Sequence, residues 1–208
     1  MKKAKVRLVE GLVKLIQETP FNQITINELS EASGTSRRTF YMHYSDKYDF
    51  LDSIERELLL GIKQAAEKDS EALLAMEGRP SSEMMYIFAQ EAFYNLIKYS
   101  NENRKILRAL FSKNGDSKFT ASLQQIMDDE VVRRFEIMHS TFGNVIPADY
   151  ARSLYSAVIM NTFAIWLGKD EPESPTEFAD ILGKVQIFSP FQFTKKIDLD
   201  LDINNNNN

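Results

Sequence analysis

Two helix-start signals lie eleven residues apart near the N-terminus, with one glycine between them. Thr25-Ile-Asn-Glu28 has the spacing of a capping box, in which the threonine hydroxyl and the glutamate carboxylate each satisfy a free backbone amide. Ser36 is a second N-cap residue, and Gly34 stands where a helix would end in the left-handed conformation. The pattern therefore predicts two short helices joined by a tight turn, the second running from Arg37 to His43.

The second of these helices begins with two arginines. In a helix-turn-helix, the first residues of the second helix meet base edges in the major groove. Arg37 and Arg38 occupy those positions, and arginine can donate two hydrogen bonds to guanine or bind a phosphate. Phe40 and Tyr44 are four residues apart, so they share a face and are expected to anchor the helix. This segment predicts DNA binding, although two adjacent arginines alone would equally suit a solvated surface.

Charge is distributed unevenly along the chain. The chain carries a net charge of −5, but residues 1–48 hold eight basic and five acidic side chains, which leaves −8 on the remainder. A basic segment on an acidic body favours contact between that segment and a polyanion. An excess of three charges also falls within ordinary scatter, so it supports DNA binding without deciding it.

The rest of the chain has helical periodicity, because glycine and proline fall between the apolar stripes and strand-like alternation is nearly absent. We predict an all-α fold, with a first helix over Lys3–Glu18 and a long fourth helix from Ser45-Asp-Lys47. Five apolar residues are expected on the buried face of that fourth helix: Leu51, Ile54, Leu58, Ile62 and Ala65.

Three segments follow from this pattern. Residues 1–48 are predicted to form the helix-turn-helix domain and residues 49–190 a helical regulatory and dimerisation domain, with Gly78-Arg79-Pro80 as a linker. Residues 191–208 form a tail in which Ile197 to Ile203 alternate strictly before five asparagines. The tail is compatible with an edge strand, with a disordered acidic tail or with an uncertain stretch of sequence, and we assign it no function.

Residues 7–51 resemble the DNA-binding domain of TetR-family repressors. The resemblance rests on Ile24-Thr-Ile26, Ala32-Ser-Gly34, Thr39-Phe-Tyr41, His43-Tyr44 and Lys47-Tyr-Asp-Phe-Leu51. Tyr44 stands where the family usually has phenylalanine. The resemblance implies phosphate contacts from Thr25, Thr35, Tyr41, His43 and Lys47. It implies base contacts from Arg37, Arg38 and Thr39, and we include Ser36 among the DNA-binding residues.

The helix predicted over Tyr150 to Leu167 is apolar on nearly every side, so it must be covered on every side. One side can pack on its own domain and the other on a second subunit. The resemblance implies a four-helix dimer interface made by the last two major helices of each subunit, and a twofold contact is expected. The predicted interface residues are Leu154, Val158, Asn161, Ile165, Phe178, Ile181, Leu182 and Val185.

The resemblance also implies a small-molecule effector site between the long helices of the larger domain. Residues 103–119 resemble a branch of the family whose effectors are mostly unidentified, a likeness that extends weakly over residues 84–185. Aromatic and methionine side chains at helical spacing suit either a pocket or a plain core. The candidates for the effector site are Met84, Phe88, Phe111, Phe135, Met138, Tyr155 and Phe163.

No catalytic arrangement is recognisable in the sequence. His43 and His139 lie far apart without further ligands at metal-site spacing, and no nucleotide-binding glycine motif occurs, so we expect no enzyme, metal or cofactor. Arg7, Glu10 and Lys14 interrupt the N-terminal apolar residues, and the chain has no cysteine. These features argue against a signal peptide and favour a cytoplasmic location.

The prediction is therefore a dimeric one-component regulator, released from palindromic DNA by an effector. Two alternatives stay open at this point: a protein-binding adaptor or coactivator of the same fold, and a structural DNA binder that takes no ligand.

Overall fold

The computed structural model describes residues 2–74, 91–137, 141–142 and 146–187. Those residues form nine α-helices and one 3-10 turn and contain no strand, which confirms the predicted all-α fold. The Gly78-Arg79-Pro80 linker, Met84, Phe88, Met138 and the tail lie outside the described residues. The helices are α1 (Lys2–Ile16), α2 (Ile26–Ser33), α3 (Arg37–Tyr41), α4 (Lys47–Leu74), α5 (Tyr94–Glu102), α6 (Arg104–Phe111), α7 (Ser117–Ile137), α8 (Ala148–Gly168) and α9 (Pro175–Ile187).

The first three helices pack around one apolar centre. Leu12, Leu29 and Phe40 are each completely buried, one from each helix. The axes of α1 and α2 come very close, because a Cβ atom added at Gly11 would lie 2.9 Å from the Cβ of Ser33. Close packing of this kind fixes the angle between the two helices and so fixes where α3 is presented.

Two predicted helix ends differ from the structure. The first helix ends at Ile16 rather than Glu18, because Glu18 and Thr19 both donate their amides to the Leu15 carbonyl in a turn. The third helix ends at Tyr41 rather than His43, since His43 and Tyr44 both turn back to the Phe40 carbonyl. Both differences involve the last turn of a helix, where chain ends fray and tighten most easily.

Helix α4 connects the N-terminal unit to the body. Its predicted inward face is confirmed, since Leu51, Ile54, Leu58, Ile62 and Ala65 are all buried. The predicted domain boundary after residue 48 falls within its first turn, and the two units share this helix. The Asp69 carboxylate accepts bonds from the Asn95 and Leu96 amides at 2.8 and 3.0 Å, and so satisfies the start of α5.

A buried arginine and an aromatic stack help to hold the body together. The Arg134 guanidinium on α7 donates to the Ala92 carbonyl at 2.6 Å and to the Glu130 carboxylate at 3.2 Å. On the other side, the Trp166 indole of α8 stacks on Phe178 of α9 with ring centres 4.1 Å apart. The first set of contacts ties α7 to the residues that precede α5, and the second ties α8 to α9.

Candidate nucleic-acid interface

The start of α2 is fixed by the predicted capping box. The Thr25 hydroxyl accepts a bond from the Glu28 amide at 3.2 Å, and the Glu28 carboxylate accepts from the Thr25 amide at 2.8 Å. The Thr25 hydroxyl also donates to this carboxylate at 2.7 Å. Both bonds to this carboxylate lower the pKa of Glu28 below its usual value, and the bond from the Thr25 hydroxyl has the larger effect. Thr25 is exposed, so its predicted phosphate contact stays a prediction.

The turn between α2 and α3 depends on one left-handed residue. Gly34 has φ of +61°, which confirms the sequence prediction and which only glycine adopts without strain. Immediately after it, the Ser36 hydroxyl accepts a bond from the Thr39 amide at 3.1 Å and caps α3. The Thr39 hydroxyl lies 2.9 Å from that of Ser36, so these two polar side chains are coupled at the start of the helix.

The inner side of α3 is anchored by aromatic rings. Phe40 is fully buried, and its ring centre lies 5.5 Å from that of Tyr44 and 5.9 Å from that of Phe50. Tyr44 and Phe50 are themselves in contact, with ring centres 4.9 Å apart. The anchor predicted from the Phe40–Tyr44 spacing is present, and Phe50 of α4 completes it. These ring contacts hold the inner side of α3 against the first turn of α4.

The outer side of α3 carries cations without partners in the described part of the chain. Arg37 and Arg38 are exposed, and neither makes an ion pair or a side-chain hydrogen bond there. Tyr41 is half exposed and His43 is exposed beside them. The structure thus brings four of the predicted DNA-binding side chains onto one accessible surface.

Lys47 differs from its predicted role. Its ammonium group donates to the backbone carbonyl oxygens of Phe21, Asn22 and Ile24 at 3.2, 2.7 and 2.7 Å. It also lies over the ring of Phe21, 5.4 Å from its centre. All three N–H donors of an ammonium are used by these carbonyls. Lys47 therefore braces the 3-10 turn (Phe21–Gln23) against α4, and its ammonium is not presented to a phosphate.

Thr35 also differs from its predicted phosphate role. Its side chain is buried in the turn, and its hydroxyl oxygen has no hydrogen-bond partner there. The backbone amide of Thr35 is already engaged, because it donates to the Ser30 carbonyl at 3.0 Å. A buried hydroxyl cannot reach a phosphate on the DNA surface without opening the turn.

One contact between the N-terminal unit and the body was not predicted. Asn114, in the loop between α6 and α7, donates its side-chain amide to the Ile16 carbonyl at 2.9 Å. The backbone carbonyl of Asn114 accepts a hydrogen bond from the Phe21 amide at 3.0 Å. Asn114 thereby holds the end of α1 and the 3-10 turn that Lys47 also braces. No local sequence signal marks it, because its partners lie 98 and 93 residues away.

The predicted effector residues fall in two places. Phe111 and Phe163 line an apolar cavity of about 20 Å³, whereas Phe135 and Tyr155 pack with Phe142 elsewhere in the body. The Tyr155 hydroxyl donates to the Gln186 side chain at 2.6 Å, and burial raises its pKa to about 12. The cavity is also lined by Ile62, Leu96, Ser100, Leu107, Leu123, Met127, Met160 and Leu167.

The predicted dimer residues divide by helix. On α8, Leu154 is 58% exposed, Val158 39% and Ile165 65%, and Asn161 is exposed among them. On α9, Phe178 and Leu182 are buried inside their own chain, so they are corrected to core residues. Their burial follows from the packing of α9 on α8 through Trp166. Ile181 and Val185 remain partly accessible.

Two other kinds of feature are absent from the described residues. None of their helices is both long and apolar enough to cross a bilayer. Within the same ranges, no three histidine or carboxylate side chains converge as metal ligands.

This fold and this surface define a helix-turn-helix protein of the DNA-binding type. Two family descriptions match the chain: "Bacterial regulatory proteins, tetR family" over residues 8–54, and "Transcriptional regulator C-terminal region" of TetR type over residues 89–187. The chain belongs to the TetR family of transcriptional regulators. This is a non-enzymatic family, which confirms that the chain is not an enzyme.

Known proteins similar to this chain share its fold at low sequence identity. PfmR of Thermus thermophilus, a TetR-family regulator, is 17% identical with a TM-score of 0.60, covering 87% of this chain and 94% of its own. The fatty acid degradation regulator FadR of Bacillus halodurans is 13% identical with a TM-score of 0.55, covering 88% and 94%. The chain is also 20% identical over 83% of its length to YxbF, an uncharacterized HTH-type transcriptional regulator of Bacillus subtilis strain 168, and spans 42% of that relative.

Proposed function

We propose that the protein is a dimeric one-component repressor, which binds palindromic operator DNA through α3 and leaves it when a small apolar effector binds the body. The observation that carries the proposal is the exposed Arg37–Arg38 pair, which finds no partner among the described residues, on a helix whose other side is locked by Phe40. Arg37, Arg38 and Thr39 contact bases. Thr25, Ser36, Tyr41 and His43 contact the phosphate backbone and set the register.

The apolar stripe on α8 supports the dimer. Leu154, Val158 and Ile165 follow one another at helical spacing, and each is more than a third exposed. A mainly apolar stripe on a water-facing helix, here interrupted only by Asn161, marks an interaction surface. A twofold contact would place α8 against the same helix of a second subunit, with Ile181 and Val185 at its edge. Two copies of α3 would then read two half-sites about one DNA turn apart.

The cavity supports an apolar effector. Of the described residues that line it, only Ser100 is polar, so a hydrocarbon group would lose little hydrogen bonding on entering it. A volume of about 20 Å³ has room for about one water molecule. An effector must therefore displace side chains around Phe111 and Phe163. Release from DNA follows if the displaced arrangement binds operator less well than the resting one.

The DNA arm of this proposal is tested by selecting duplexes from a random pool with the full chain and measuring their affinity across salt concentrations. Arg37→Ala and Arg38→Ala should each weaken the selected duplex about 10-fold or more. Arg56→Ala is the matched control, because Arg56 is an exposed arginine on α4, and it should leave affinity unchanged. Equal losses in all three variants would contradict the assignment of α3.

The dimer arm is tested by sedimentation. Ile165→Glu places a charge in the α8 stripe and should give monomers, whereas Leu60→Glu, at a residue 57% exposed on α4, should not. A wild-type chain that sediments as a monomer would contradict the dimer. A dimer without affinity for any duplex would favour the adaptor, and a DNA complex that no apolar compound releases would favour the structural binder.

A further inference from the structure

Met42 is an apolar residue on the outer surface beside α3, and it is not among the DNA contacts proposed above. It is 71% exposed, the largest exposed fraction among the large apolar side chains of the described residues. A single exposed apolar side chain is common on protein surfaces, so exposure alone carries no conclusion. What distinguishes Met42 is where the helix places it.

Met42 lies on the face of α3 that points away from the core. Its φ of −71° and ψ of −17° continue the helical conformation, and its amide donates to the Arg38 carbonyl at 3.1 Å. At about 100° per residue, Arg38 and Met42 each lie within about 20° of the direction opposite buried Phe40. The outermost line of α3 therefore carries a cation and a thioether, one helical turn apart.

The chemistry of Met42 limits what it can recognise on DNA. A thioether side chain is flexible and polarizable and is at most a weak hydrogen-bond acceptor. The base-edge group in the major groove that it complements is the C5-methyl group of thymine. Side chains at positions i and i+4 of a helix stand about 5–6 Å apart, which corresponds to one or two base-pair steps.

We propose that Met42 is a specificity-determining residue that reads a thymine methyl group within two base pairs of the base contacted by Arg38. The inference rests on the proposed function, since it requires α3 to enter the major groove. It adds a requirement that the arginines do not make: each half-site contains a thymine whose methyl group, rather than its hydrogen-bonding edge, is recognised.

The experiment uses the duplex selected by the wild-type chain and a matched duplex in which one thymine per half-site is replaced by uracil. This change removes only the methyl group. We expect wild type to bind the uracil duplex about 3- to 10-fold more weakly per half-site. Met42→Ala should bind both duplexes equally, at the weaker level, because the contact is already lost. Leu60→Ala, at a similarly exposed apolar residue on α4, should discriminate as wild type does.

Two results would overturn the inference while leaving the proposed function intact. In one, Met42→Ala discriminates thymine from uracil as strongly as wild type does. In the other, Met42→Ala lowers the affinity for the thymine duplex and for the uracil duplex by the same factor. That result would indicate a sequence-independent contact. A wild-type chain that selects no duplex would overturn the proposed function itself, and the inference with it. Thermal unfolding of Met42→Ala should match wild type, so a folding defect is distinguishable.

Discussion

The backbone amide of Phe21 donates a hydrogen bond to the carbonyl oxygen of Asn114, and the two atoms are 3.0 Å apart. This bond joins the 3-10 turn of the N-terminal unit to the loop between α6 and α7 of the body. The side chain of Asn114 adds a second bond, to the Ile16 carbonyl at the end of α1. A rearrangement of α6 therefore has a direct hydrogen-bonded route to the unit that carries α3, separate from the shared helix α4.

Replacing Asn114 with alanine should loosen this junction. The variant leaves the Ile16 carbonyl without its donor, in a place that is nearly closed to water. Loss of a buried hydrogen bond of this type costs about 1–3 kcal/mol of unfolding free energy. Urea unfolding measures the loss, with Asn101→Ala on the exposed side of α5 as the control that should stay within about 0.5 kcal/mol. Equal effects in the two variants would show that the junction bond contributes nothing.

Lys47→Met should separate bracing from phosphate binding. The variant keeps most of the side-chain stem but removes the ammonium group from three backbone carbonyls. We expect a loss of about 1–3 kcal/mol of stability, and a slope of DNA affinity against salt that stays the same as in wild type. Lys63→Met, at an exposed lysine on α4, controls for the change of charge. If Lys47→Met instead reduced the slope of DNA affinity against salt by about one, the phosphate contact predicted for Lys47 would be supported.

Gly61→Ala should destabilise the body although alanine is the better helix former. A Cβ atom at position 61 would overlap the phenol end of Tyr99, so the Tyr99 side chain would have to leave its packed position between α4 and α5. Overpacking of this kind costs about 1–3 kcal/mol. Gly168→Ala is the matched control, because no atom of the described residues lies within 4 Å of its added Cβ. Thermal unfolding compares the stability of the two glycine variants. The double variant Gly61→Ala with Tyr99→Ala should lose less stability than the sum of the losses in the two single variants.

Glu55 should make stability depend on pH. Burial, and then the negative charges of Asp116 and Asp52, raise its pKa from 4.5 to about 7, against a smaller opposing effect of Lys118. A raised pKa means that the folded chain holds this proton more tightly than the unfolded chain does. The stabilising contribution is therefore complete below about pH 4.5 and is lost as pH rises through about 7.

Glu55→Gln tests this dependence, because glutamine resembles the protonated form at every pH. At about pH 8 the variant should be more stable than wild type by about 1–2 kcal/mol, a difference reduced to allow for partial solvent access. At about pH 4.5 its stability should be close to that of wild type. Urea unfolding at the two pH values measures the difference. Glu71→Gln, at an exposed position on α4, should show no such difference. A gap between Glu55→Gln and wild type that is the same at both pH values would contradict the prediction.

Local features of the site were predictable from the sequence. The Thr25–Glu28 cap and the Gly34 turn involve partners within four residues, so the spacing alone determines which groups meet. The Phe40–Tyr44 anchor is predictable for the same reason. The outward direction of Arg38 then follows from the burial of Phe40, because the two positions lie on nearly opposite sides of the helix.

Long-range partners were not predictable in this way. The Lys47 ammonium finds carbonyls 23 to 26 residues earlier in the chain, and a lysine in a DNA-binding segment gives no sign that backbone oxygens will use it. Phe178 and Leu182 show the same limit for apolar residues. A stripe indicates that a helix face is covered, but not whether its own chain or a second copy covers it.

Helix α4 has 28 residues, which makes it a rod about 42 Å long. A lever of this length amplifies angle into distance. A tilt of only about 5° at the end that lies in the body would move the far end by about 3–4 Å, close to the roughly 3.4 Å spacing of successive bases along a strand. Small changes around Asp69 and Arg134 would thus be enough to move the N-terminal unit from one base pair to the next.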